Sequence, residues 1–481
     1  MWKPSQRIKY APTPGRWPNR TEASNASLFQ PIEYQALSLR DRTWVPAMVP
    51  WRALETGEVT EENTDWYARF ARGKPGGLVV EATGIRDVPS GPLLRIGHDR
   101  FIPGLTRLAE RVRQESHGYT KLFIQLIDFL AVRRRPEPTK FLDKFLQITE
   151  GHRQALGLDF ASEEEIRTAM HKLSPADLAE ILTTAELEAL NYGQRERITD
   201  THLTHIADLP KQLPELFAQA AMRAKTAGFD GVELHFAHAY TMASFLSRTN
   251  NRDDGYGGSP EARVQLALEI IDAVRSTIGS DYVVGTRILT EECIPGGSTI
   301  EDSLFYAKQL AHQGLDYLSL SRGGKFDDAK QPKVGWAVYP YTGPSGYECM
   351  PQYLSDEFGP FGRNLAPANT IRDHLRKSGS TIPVIVAGGI HNFEQAEGVI
   401  DSGAGDIVGF ARQALADPDW FEKVRRGFGD EVRLCVYSNY CEGLDQKHKQ
   451  VTCNLWDRIE LDKPCAKTND GKRRLVAPDW R

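Results

Sequence analysis

Eight short apolar runs, rich in β-branched residues, recur along the chain and alternate with longer segments that carry apolar residues at helical spacing. The runs are residues 42–48, 77–81, 121–126, 231–236, 282–288, 315–320, 383–386 and 406–410. Strands that alternate with helices pair in parallel, because each helix returns the chain to the same end of the sheet. Eight such units predict a (β/α)₈ TIM barrel, whose functional side chains lie at the carboxyl ends of the strands.

The segments between the runs carry the periodicity and the end signals of helices. The clearest are residues 213–227, 260–278, 300–313 and 392–402. Ser259 and Pro260 suit the N-cap and first turn of one of them. A doubly wound sheet, the competing architecture, would need a glycine-rich dinucleotide fingerprint after a strand. The nearest match, residues 403–408, fails at its last position, which favours the barrel.

Composition narrows the class of protein. A chain of 481 residues with 40% hydrophobic content can bury a large core, and its net charge of −5 gives no basic footprint for nucleic acid or an anionic membrane. No apolar run approaches the length of a membrane span, and residues 1–27 lack the apolar centre of a secretory signal. Six cysteines are too few for a disulfide framework. These features predict a soluble cytoplasmic protein without a nucleic-acid or membrane partner, and they leave its oligomeric state open.

Two segments interrupt the repeat. Residues 127–230 separate the third run from the fourth, and this segment is far longer than one crossover connection needs. The charged helical pattern of residues 141–190 predicts a helical insertion at about 130–207. Residues 325–366 follow the sixth run, are rich in Gly, Pro and aromatic residues, and are predicted to shape a substrate pocket. The predicted organisation is an N-terminal arm at 1–33, a barrel with its insertion at 34–430 and a C-terminal extension at 431–481.

Two histidines and a tyrosine stand together where the fourth run ends. His235 and His238 are three residues apart and Tyr240 follows, so a strand end that turns can direct all three into one pocket. Neutral imidazoles can donate to an oxygen that gains charge, and a phenol can supply a proton. Each residue also has a simpler explanation. Either histidine alone could be a hydrogen-bonded core residue, the two together could be half of a zinc site that lacks a third ligand, and Tyr240 could be a packing residue. His202 and His205 have the same spacing without a completing ligand, which favours a surface position.

Together with residues 251–258, which we expect to be structural, this constellation resembles the old yellow enzyme family of flavin-dependent ene-reductases over about residues 34–425. The resemblance implies a non-covalent FMN. The positions that it assigns to the flavin are Pro46, Ala47, Met48, Val49, Ala82, Gln125, His235, Arg287, Gly388, Gly389, Ala411 and Arg412. It places Gln125 at the flavin pyrimidine, Arg287 near N1 and O2, and Arg412 at the phosphate. The positions that it assigns to substrate are Trp51, His235, His238 and Tyr240.

The chain departs from the family pattern in three places. Val49 stands where the family usually has Thr or Cys beside the flavin O4, so we expect a lower flavin potential and slower reduction by pyridine nucleotide. Trp51 stands where one branch of the family has a pocket tyrosine. After Gln125, residues 127–130 read Ile-Asp-Phe-Leu instead of the usual His-Ala-Gly-Arg. The resemblance therefore does not define that part of the substrate pocket.

The cysteines near residue 450 carry a second signal. Cys435, Cys441 and Cys453 match three of the four positions that hold a [4Fe–4S] cluster in larger relatives, such as trimethylamine dehydrogenase and dienoyl-CoA reductase. Those relatives also carry a dinucleotide-binding domain further on, for which this sequence has no counterpart. Ser438 stands at the fourth position, and because a hydroxyl is a poor ligand for such a cluster, a lost cluster is favoured. A serine-ligated or three-iron cluster and a zinc held by three cysteines are the alternatives, with Cys465 as a spare ligand.

The resemblance predicts an FMN-dependent oxidoreductase that uses NAD(P)H to reduce the activated C=C bond of an α,β-unsaturated carbonyl compound, by hydride transfer from flavin N5. His235 and His238 would hold the carbonyl oxygen, and Tyr240 would donate the proton. The first alternative is a flavin-dependent amine dehydrogenase or demethylase, suggested by the cysteine remnant, although those enzymes tend to place Tyr where His235 stands. The second alternative is a flavin-binding barrel without turnover.

Overall fold

A computed structural model of the chain describes residues 11–88, 91–238, 240–292, 296–323, 334–335, 361–445 and 447–481. Within these ranges the strands are β1 (Ile32–Tyr34), β2 (Leu37–Leu39), β3 (Thr43–Val45), β4 (Gly77–Gly84), β5 (Lys121–Ile127), β6 (Gly231–Phe236), β7 (Val283–Leu289), β8 (Tyr317–Ser321), β9 (Val384–Ala387) and β10 (Ile407–Gly409). The α-helices are α1 (Arg20–Asn25), α2 (Glu61–Arg72), α3 (Ile102–Glu115), α4 (Pro138–Lys140), α5 (Glu150–Leu156), α6 (Glu163–Met170), α7 (Pro175–Ile181), α8 (Thr184–Asn191), α9 (Thr204–Ala207), α10 (Leu209–Thr226), α11 (Thr241–Leu246), α12 (Pro260–Ile278), α13 (Ile300–Ala311), α14 (Leu365–Lys377), α15 (Phe393–Asp401), α16 (Arg412–Ala416), α17 (Trp420–Arg425) and α18 (Tyr440–Asp445).

Strands β3 to β10 close into a barrel in which every neighbouring pair is parallel. The strands follow one another in chain order, and β10 pairs with β3 to close the ring. Each of the eight predicted runs overlaps one of these strands, so the predicted (β/α)₈ barrel is confirmed. The first run differs most from its prediction, because the chain leaves the sheet after Val45 rather than at residue 48.

The amino end of the barrel is filled by aromatic side chains and covered by a hairpin. Trp44 packs against Phe123 and Tyr317, with ring centroids 4.7 and 5.2 Å away. A Cβ on Gly285 would lie 2.1 Å from the Tyr317 ring, so only glycine fits beneath it. The antiparallel pair β1 and β2, which the sequence analysis did not predict, adds Leu37 to the same cluster. With this end closed, the carboxyl ends of the strands are left to form a site.

The predicted helical insertion after the third barrel strand is confirmed. Helices α4 to α8 enclose a hydrophobic cluster of their own, whose buried members are Phe141, Leu142, Leu146, Ile166, Met170, Leu178, Leu182 and Leu190. Capping boxes begin α6, α7 and α8. Arg252, which is ion-paired with Asp254, donates to the backbone carbonyls of Ile198 and Ile206. Residues 251–258 therefore contact the returning end of the insertion.

The helices around the barrel begin and end largely where capping chemistry places them. Helix α12 has the bounds predicted for it, with the Ser259 hydroxyl accepting from the Ala262 N–H at 3.3 Å. Helix α10 begins at Leu209 instead of residue 213, with Pro210 in its first turn, where a missing N–H costs nothing. Among the helices of the described residues, none combines the length and the apolarity needed to cross a bilayer.

A buried carboxyl group joins barrel strand β4 to helix α2. Glu81 is fully buried, and its Oε2 accepts from the Tyr67 hydroxyl at 2.8 Å and from Asn63 at 3.4 Å. The Glu81 N–H donates to the same Tyr67 oxygen at 2.8 Å. A bulge in the pairing of β4 with β5 falls at Glu81, between Val80 and Ala82, and the bonds to α2 place its side chain on the outer face of the sheet. Burial raises the pKa of Glu81 to about 8.

The stability of the protein should fall as the pH rises from about 4.5 to about 8, because folded Glu81 keeps a proton that the unfolded chain has already lost. The slope for one such proton reaches about 1.4 kcal/mol per pH unit. Glu81→Gln should remove this contribution, so the variant should gain stability relative to the parent as the pH rises. The free energy of unfolding in urea at pH 5, 6.5 and 8 measures the difference, and parallel profiles for the two proteins would contradict the assignment.

Candidate active site

A layer of polar side chains lies inside the barrel above the aromatic floor. Gln125 and Glu233 are register partners on β5 and β6, and Gln125 Nε2 donates to Glu233 Oε1 at 2.6 Å. Arg287 and Ser319 are partners on β7 and β8, with Arg287 NH1 3.4 Å from the serine hydroxyl. Burial lowers the pKa of Arg287 and raises that of Glu233, while the attraction between the two charges opposes both shifts. The layer therefore pairs a cation and an acid within a dry environment.

The two histidines predicted from the sequence lie beside these polar side chains, at the carboxyl end of β6. His235 is the register partner of Arg287, and His238 follows the strand in a left-handed conformation with φ of 61°, which turns the chain at the barrel mouth. Nδ1 of His238 lies 3.5 Å from Nε2 of His235. Nε2 of His238 lies 2.7 Å from the hydroxyl of Ser321 on β8. Among the described residues, Nδ1 of His235 has no hydrogen-bond partner.

Both imidazoles are neutral. Burial lowers the pKa of His235 well below its usual range, and it lowers the pKa of His238 to about 3. The cation of Arg287 acts in the same direction on both. If Ser321 donates its hydroxyl proton to Nε2 of His238, the remaining proton of that ring is on Nδ1. That N–H can donate to His235 Nε2. If His235 instead carries its own proton on Nε2, the two N–H groups can converge on a single acceptor.

Tyr240 completes the predicted trio. Its ring centroid is 5.7 Å from that of His235 and 5.2 Å from that of Phe129, which meets it edge-on. Phe129 belongs to residues 127–130, where the sequence departs from the family pattern. In the same segment Asp128 is buried and paired with Arg86, with contacts of 2.5 and 2.9 Å. The departure thus supplies an aromatic wall beside Tyr240 and a buried ion pair behind it.

Other positions assigned to the flavin lie around the same rim. After the bulge, Ala82 is the register partner of Gln125. Pro46 is buried and Ala47, Met48 and Val49 are partly exposed in the loop after β3. Gly388 and Gly389 follow β9 with φ of 133° and 67°, and a Cβ on Gly388 would lie 2.8 Å from the Asn364 side chain. Arg287 Nε and His235 Nδ1 are buried atoms without a hydrogen-bond partner in the described part of the chain. Next to a glycine-lined rim, they fit a flat polar cofactor at this end of the barrel.

Arg412, assigned to the flavin phosphate, contacts the C-terminal extension. Its NH1 donates to Asn439 Oδ1 at 2.8 Å, and its guanidinium lies 4.6 Å above the Tyr437 ring. Ala411 immediately precedes it as the N-cap residue of α16. The role of Ala411 and Arg412 in binding the phosphate stays a prediction. The contacts show that residues of the C-terminal extension, as well as the barrel, surround the Arg412 guanidinium.

The extension also holds Trp51. The indole Nε1 donates to Asp445 Oδ1 at 2.6 Å, and the ring stacks on His448 with centroids 4.0 Å apart. Trp51 has a φ of 55°, a conformation that costs a non-glycine residue free energy unless neighbouring contacts hold it. Backbone bonding continues the attachment, because the Val451 N–H donates to the Pro50 carbonyl at 3.0 Å. The loop after β3 is therefore fixed by residues far along the chain.

The three cysteines of the cluster motif line one small pocket together with Ser438 and Arg412. The Tyr437 N–H lies 3.4 Å from the Cys435 sulfur, in a loop where Tyr437 and Asn439 both have positive φ. Burial raises the pKa of Cys441 to about 12 and that of Cys453 to about 11. Cys465 is not among the residues that line the pocket. Within the described part of the chain, no group of three or more His, Cys, Asp or Glu residues is placed to hold a metal ion.

Sequence reasoning missed Glu233, Ser319 and Ser321. All three lie on barrel strands at alternate positions, and Glu233 is two residues before His235, so the period of two along a strand was the signal that could have found it. His202 and His205 are exposed, and His205 pairs with Glu196 at 2.8 Å. The predicted pocket loop, 325–366, lies for the most part outside the described residues.

The chain is thus a parallel eight-stranded barrel with a cation, an acid and neutral imidazoles near its carboxyl rim. The sequence profile of the NADH:flavin oxidoreductase / NADH oxidase family matches residues 27–431, and the chain belongs to this family. FMN and NAD(P)H are the cofactors of the family.

Individual relatives agree with this membership. The chain is 30% identical over 419 residues to an NADH oxidase of Thermoanaerobacter brockii, covering 86% of this chain and 53% of that protein. It is 27% identical over 476 residues to an N,N-dimethylglycine/sarcosine dehydrogenase of Chromohalobacter salexigens, covering 94% and 56%. The chain thus spans about half the length of these curated relatives. A solved 2-naphthoyl-CoA reductase complex shares the fold, with a TM-score of 0.65, 20% identity and coverage of 92% of this chain and 59% of that chain.

Proposed function

We propose that the protein is an FMN-dependent oxidoreductase that uses NAD(P)H to reduce the activated C=C bond of an α,β-unsaturated carbonyl compound. The observation that carries the proposal is the pair of ring nitrogens, His235 Nε2 and His238 Nδ1, 3.5 Å apart at the barrel rim. When both nitrogens carry a proton, the carbonyl oxygen of an enone can accept from the two N–H groups in place of the contact between the rings. Ser321 supports the arrangement, because a proton donated to His238 Nε2 leaves Nδ1 as the donor.

FMN held at this rim would supply the hydride chemistry, passing a hydride from NAD(P)H through N5 to the β-carbon of the alkene. His235 and His238 hold the carbonyl oxygen and stabilise the negative charge that develops on it as the enolate forms. Because burial keeps both rings neutral, the donors stay N–H groups throughout the neutral pH range. Tyr240 donates its hydroxyl proton to the α-carbon, and Phe129 shields that side from water.

The same proposal assigns the remaining rim residues to FMN and to substrate. The residues that hold FMN are Pro46, Ala47, Met48, Val49, Ala82, Gln125, His235, Arg287, Gly388, Gly389, Ala411 and Arg412. Trp51 forms a wall of the substrate pocket, and its attachment to Asp445 and His448 keeps that wall in place. Val49 offers no hydrogen bond to the flavin, which supports slow reduction by pyridine nucleotide.

A second candidate is a flavin-dependent dehydrogenase or demethylase of amines. The observation that favours it is the match to a dimethylglycine/sarcosine dehydrogenase along 94% of this chain, together with the three cysteines around one pocket. A simple amine such as trimethylamine has no oxygen that could accept from the imidazole pair, which argues for the first candidate over that substrate. Steady-state assays with cyclohexenone, an enoyl thioester and trimethylamine separate the two. Turnover of trimethylamine alone would replace the first proposal, and turnover of none would indicate a flavin-binding barrel without this activity.

The purified protein should be yellow and should release FMN when denatured. Arg287 offers a fixed cation to the flavin, the glycine-lined rim allows close approach, and the sequence has no dinucleotide fingerprint for an adenosine moiety. Chromatography of the released chromophore checks the expectation, with free FMN and FAD as standards. Release of FAD, or failure to bind FMN on reconstitution, would contradict it.

A further inference from the structure

Glu233 is a buried carboxylate that the proposed reaction does not use. It is fully buried two residues before His235, on the same face of β6. Its Oε1 accepts from Gln125 Nε2 at 2.6 Å, while its Oε2 has no hydrogen-bond partner among the described residues. Burial raises the pKa of Glu233, while the nearby hydroxyls of Tyr317 and Ser319 lower it. A carboxyl group this deep is costly to stability.

The hydrogen bond to Glu233 determines which way the Gln125 amide faces. A carboxylate accepts and cannot donate, so the glutamine must present its NH₂ group to Glu233. Its carbonyl oxygen is then turned away from Glu233 and becomes an acceptor for a ring N–H of a bound group. A flavin pyrimidine carries such a group at N3. Without the carboxylate, the amide could adopt either orientation.

The negative charge of Glu233 also affects the region where the flavin ring would bind. Arg287 lies on the neighbouring strand β7 in register with His235, and the attraction between its charge and that of Glu233 opposes the effect of burial on both groups. In a dry interior, a charge acts over a longer range than it does in water. A carboxylate beside Arg287 offsets part of the positive potential that the guanidinium would otherwise direct at a bound flavin.

We propose that Glu233 is a positioning residue for the flavin: it orients the Gln125 amide and offsets the charge of Arg287, which lowers the potential at which the flavin is reduced. This inference rests on FMN binding, which family membership establishes, and not on ene-reduction. Reduction places negative charge on the flavin ring, which Arg287 favours and Glu233 opposes. Removing the carboxylate must therefore raise the midpoint potential.

The test compares Glu233→Gln, Glu233→Asp and the parent, each reconstituted with FMN and titrated with a reductant against a reference dye at pH 7 and pH 9. In Glu233→Gln the equilibrium constant for two-electron reduction should rise about tenfold or more, a shift of about 30 mV to more positive potential at both pH values. Glu81→Gln is the matched control, because Glu81 is equally buried on a barrel strand but bonds outward to Tyr67. It should leave the potential unchanged.

A second measurement follows the orientation of Gln125 directly. The ¹⁵N resonance of N3 in labelled FMN reports its hydrogen bond, and it should move in both Glu233 variants, with FMN affinity falling several-fold. Glu233→Asp keeps the charge, so its potential should stay near that of the parent; this variant also serves if Glu233→Gln fails to fold. Equal potentials for Glu233→Gln and the parent, an equal shift in Glu81→Gln, or an unmoved N3 resonance in Glu233→Asp would overturn the proposal.

Discussion

Replacing both rim imidazoles, by His235→Ala with His238→Ala, should weaken phenolate binding and enone turnover by at least about a hundredfold. The removal of one preorganised oxyanion donor typically costs on the order of 3 kcal/mol, and here both donors are lost. Titration with p-hydroxybenzaldehyde measures binding, because a phenolate held over oxidised flavin gives a long-wavelength charge-transfer band. Steady-state turnover of cyclohexenone measures catalysis. FMN should remain bound, since Gln125 and Arg287 are untouched.

The chain offers a matched control for this variant. His202 and His205 have the same spacing but are exposed on the insertion, so replacing both with alanine should leave the band and the turnover unchanged. Ser321→Ala should have an intermediate effect, because it keeps both rings and removes only the hydroxyl that favours Nδ1–H on His238. A double histidine variant that binds the phenol with the affinity of the parent would show that the pair does not hold the oxygen.

Tyr240→Phe should slow one half-reaction and spare the other. Protonation of the α-carbon is needed when an alkene is reduced, whereas transfer of hydride from NAD(P)H to the flavin needs no such proton. Loss of general-acid assistance typically costs about a hundredfold. Stopped-flow measurement should therefore find slow reoxidation of the reduced enzyme by cyclohexenone and an unchanged rate of reduction by NAD(P)H.

A nitroalkene provides an internal comparison, because a strongly activated alkene accepts hydride without an enzymatic proton and should lose less rate. Tyr256→Phe is the control for removing a phenol, since Tyr256 bonds to Glu269 outside the trio. Equal slowing of both half-reactions would mean that Tyr240 positions ligands or supports the flavin. Unchanged rates in both would make it a packing residue against Phe129 and His235.

Periodicity was sufficient to predict the barrel. Parallel strands covered on both faces read as short apolar runs, and the eight runs are separated by segments with helical spacing. The hairpin of β1 and β2 was missed because three-residue strands are too short for an alternating pattern to be distinct. It forms because Leu37 and Leu39 can pack on the aromatic floor, which is a tertiary contact that no local pattern reports.

The residues of the candidate site also fall into those that local sequence predicts and those that depend on tertiary contacts. His235, His238 and Tyr240 lie within six residues, so their proximity could be predicted from one turn of chain. Glu233 could have been found by the alternation along β6. The contact between Trp51 and Asp445 joins residues 394 positions apart, and it depends on how the C-terminal extension packs against the barrel. Local sequence patterns carry no information about such a pairing.

The attachment of the extension to residues 50–52 has a consequence for the order of folding. Arg52 donates to the carbonyls of Val451 and Leu475, 399 and 423 positions further along the chain. Contacts of such long sequence separation form late, because the entropy cost of closing the loop precedes the gain from the contact. The barrel strands can pair before Trp51 reaches its final conformation. Weakening the extension should therefore give a folded barrel with an immature pocket, so that secondary structure appears ahead of ligand binding during refolding.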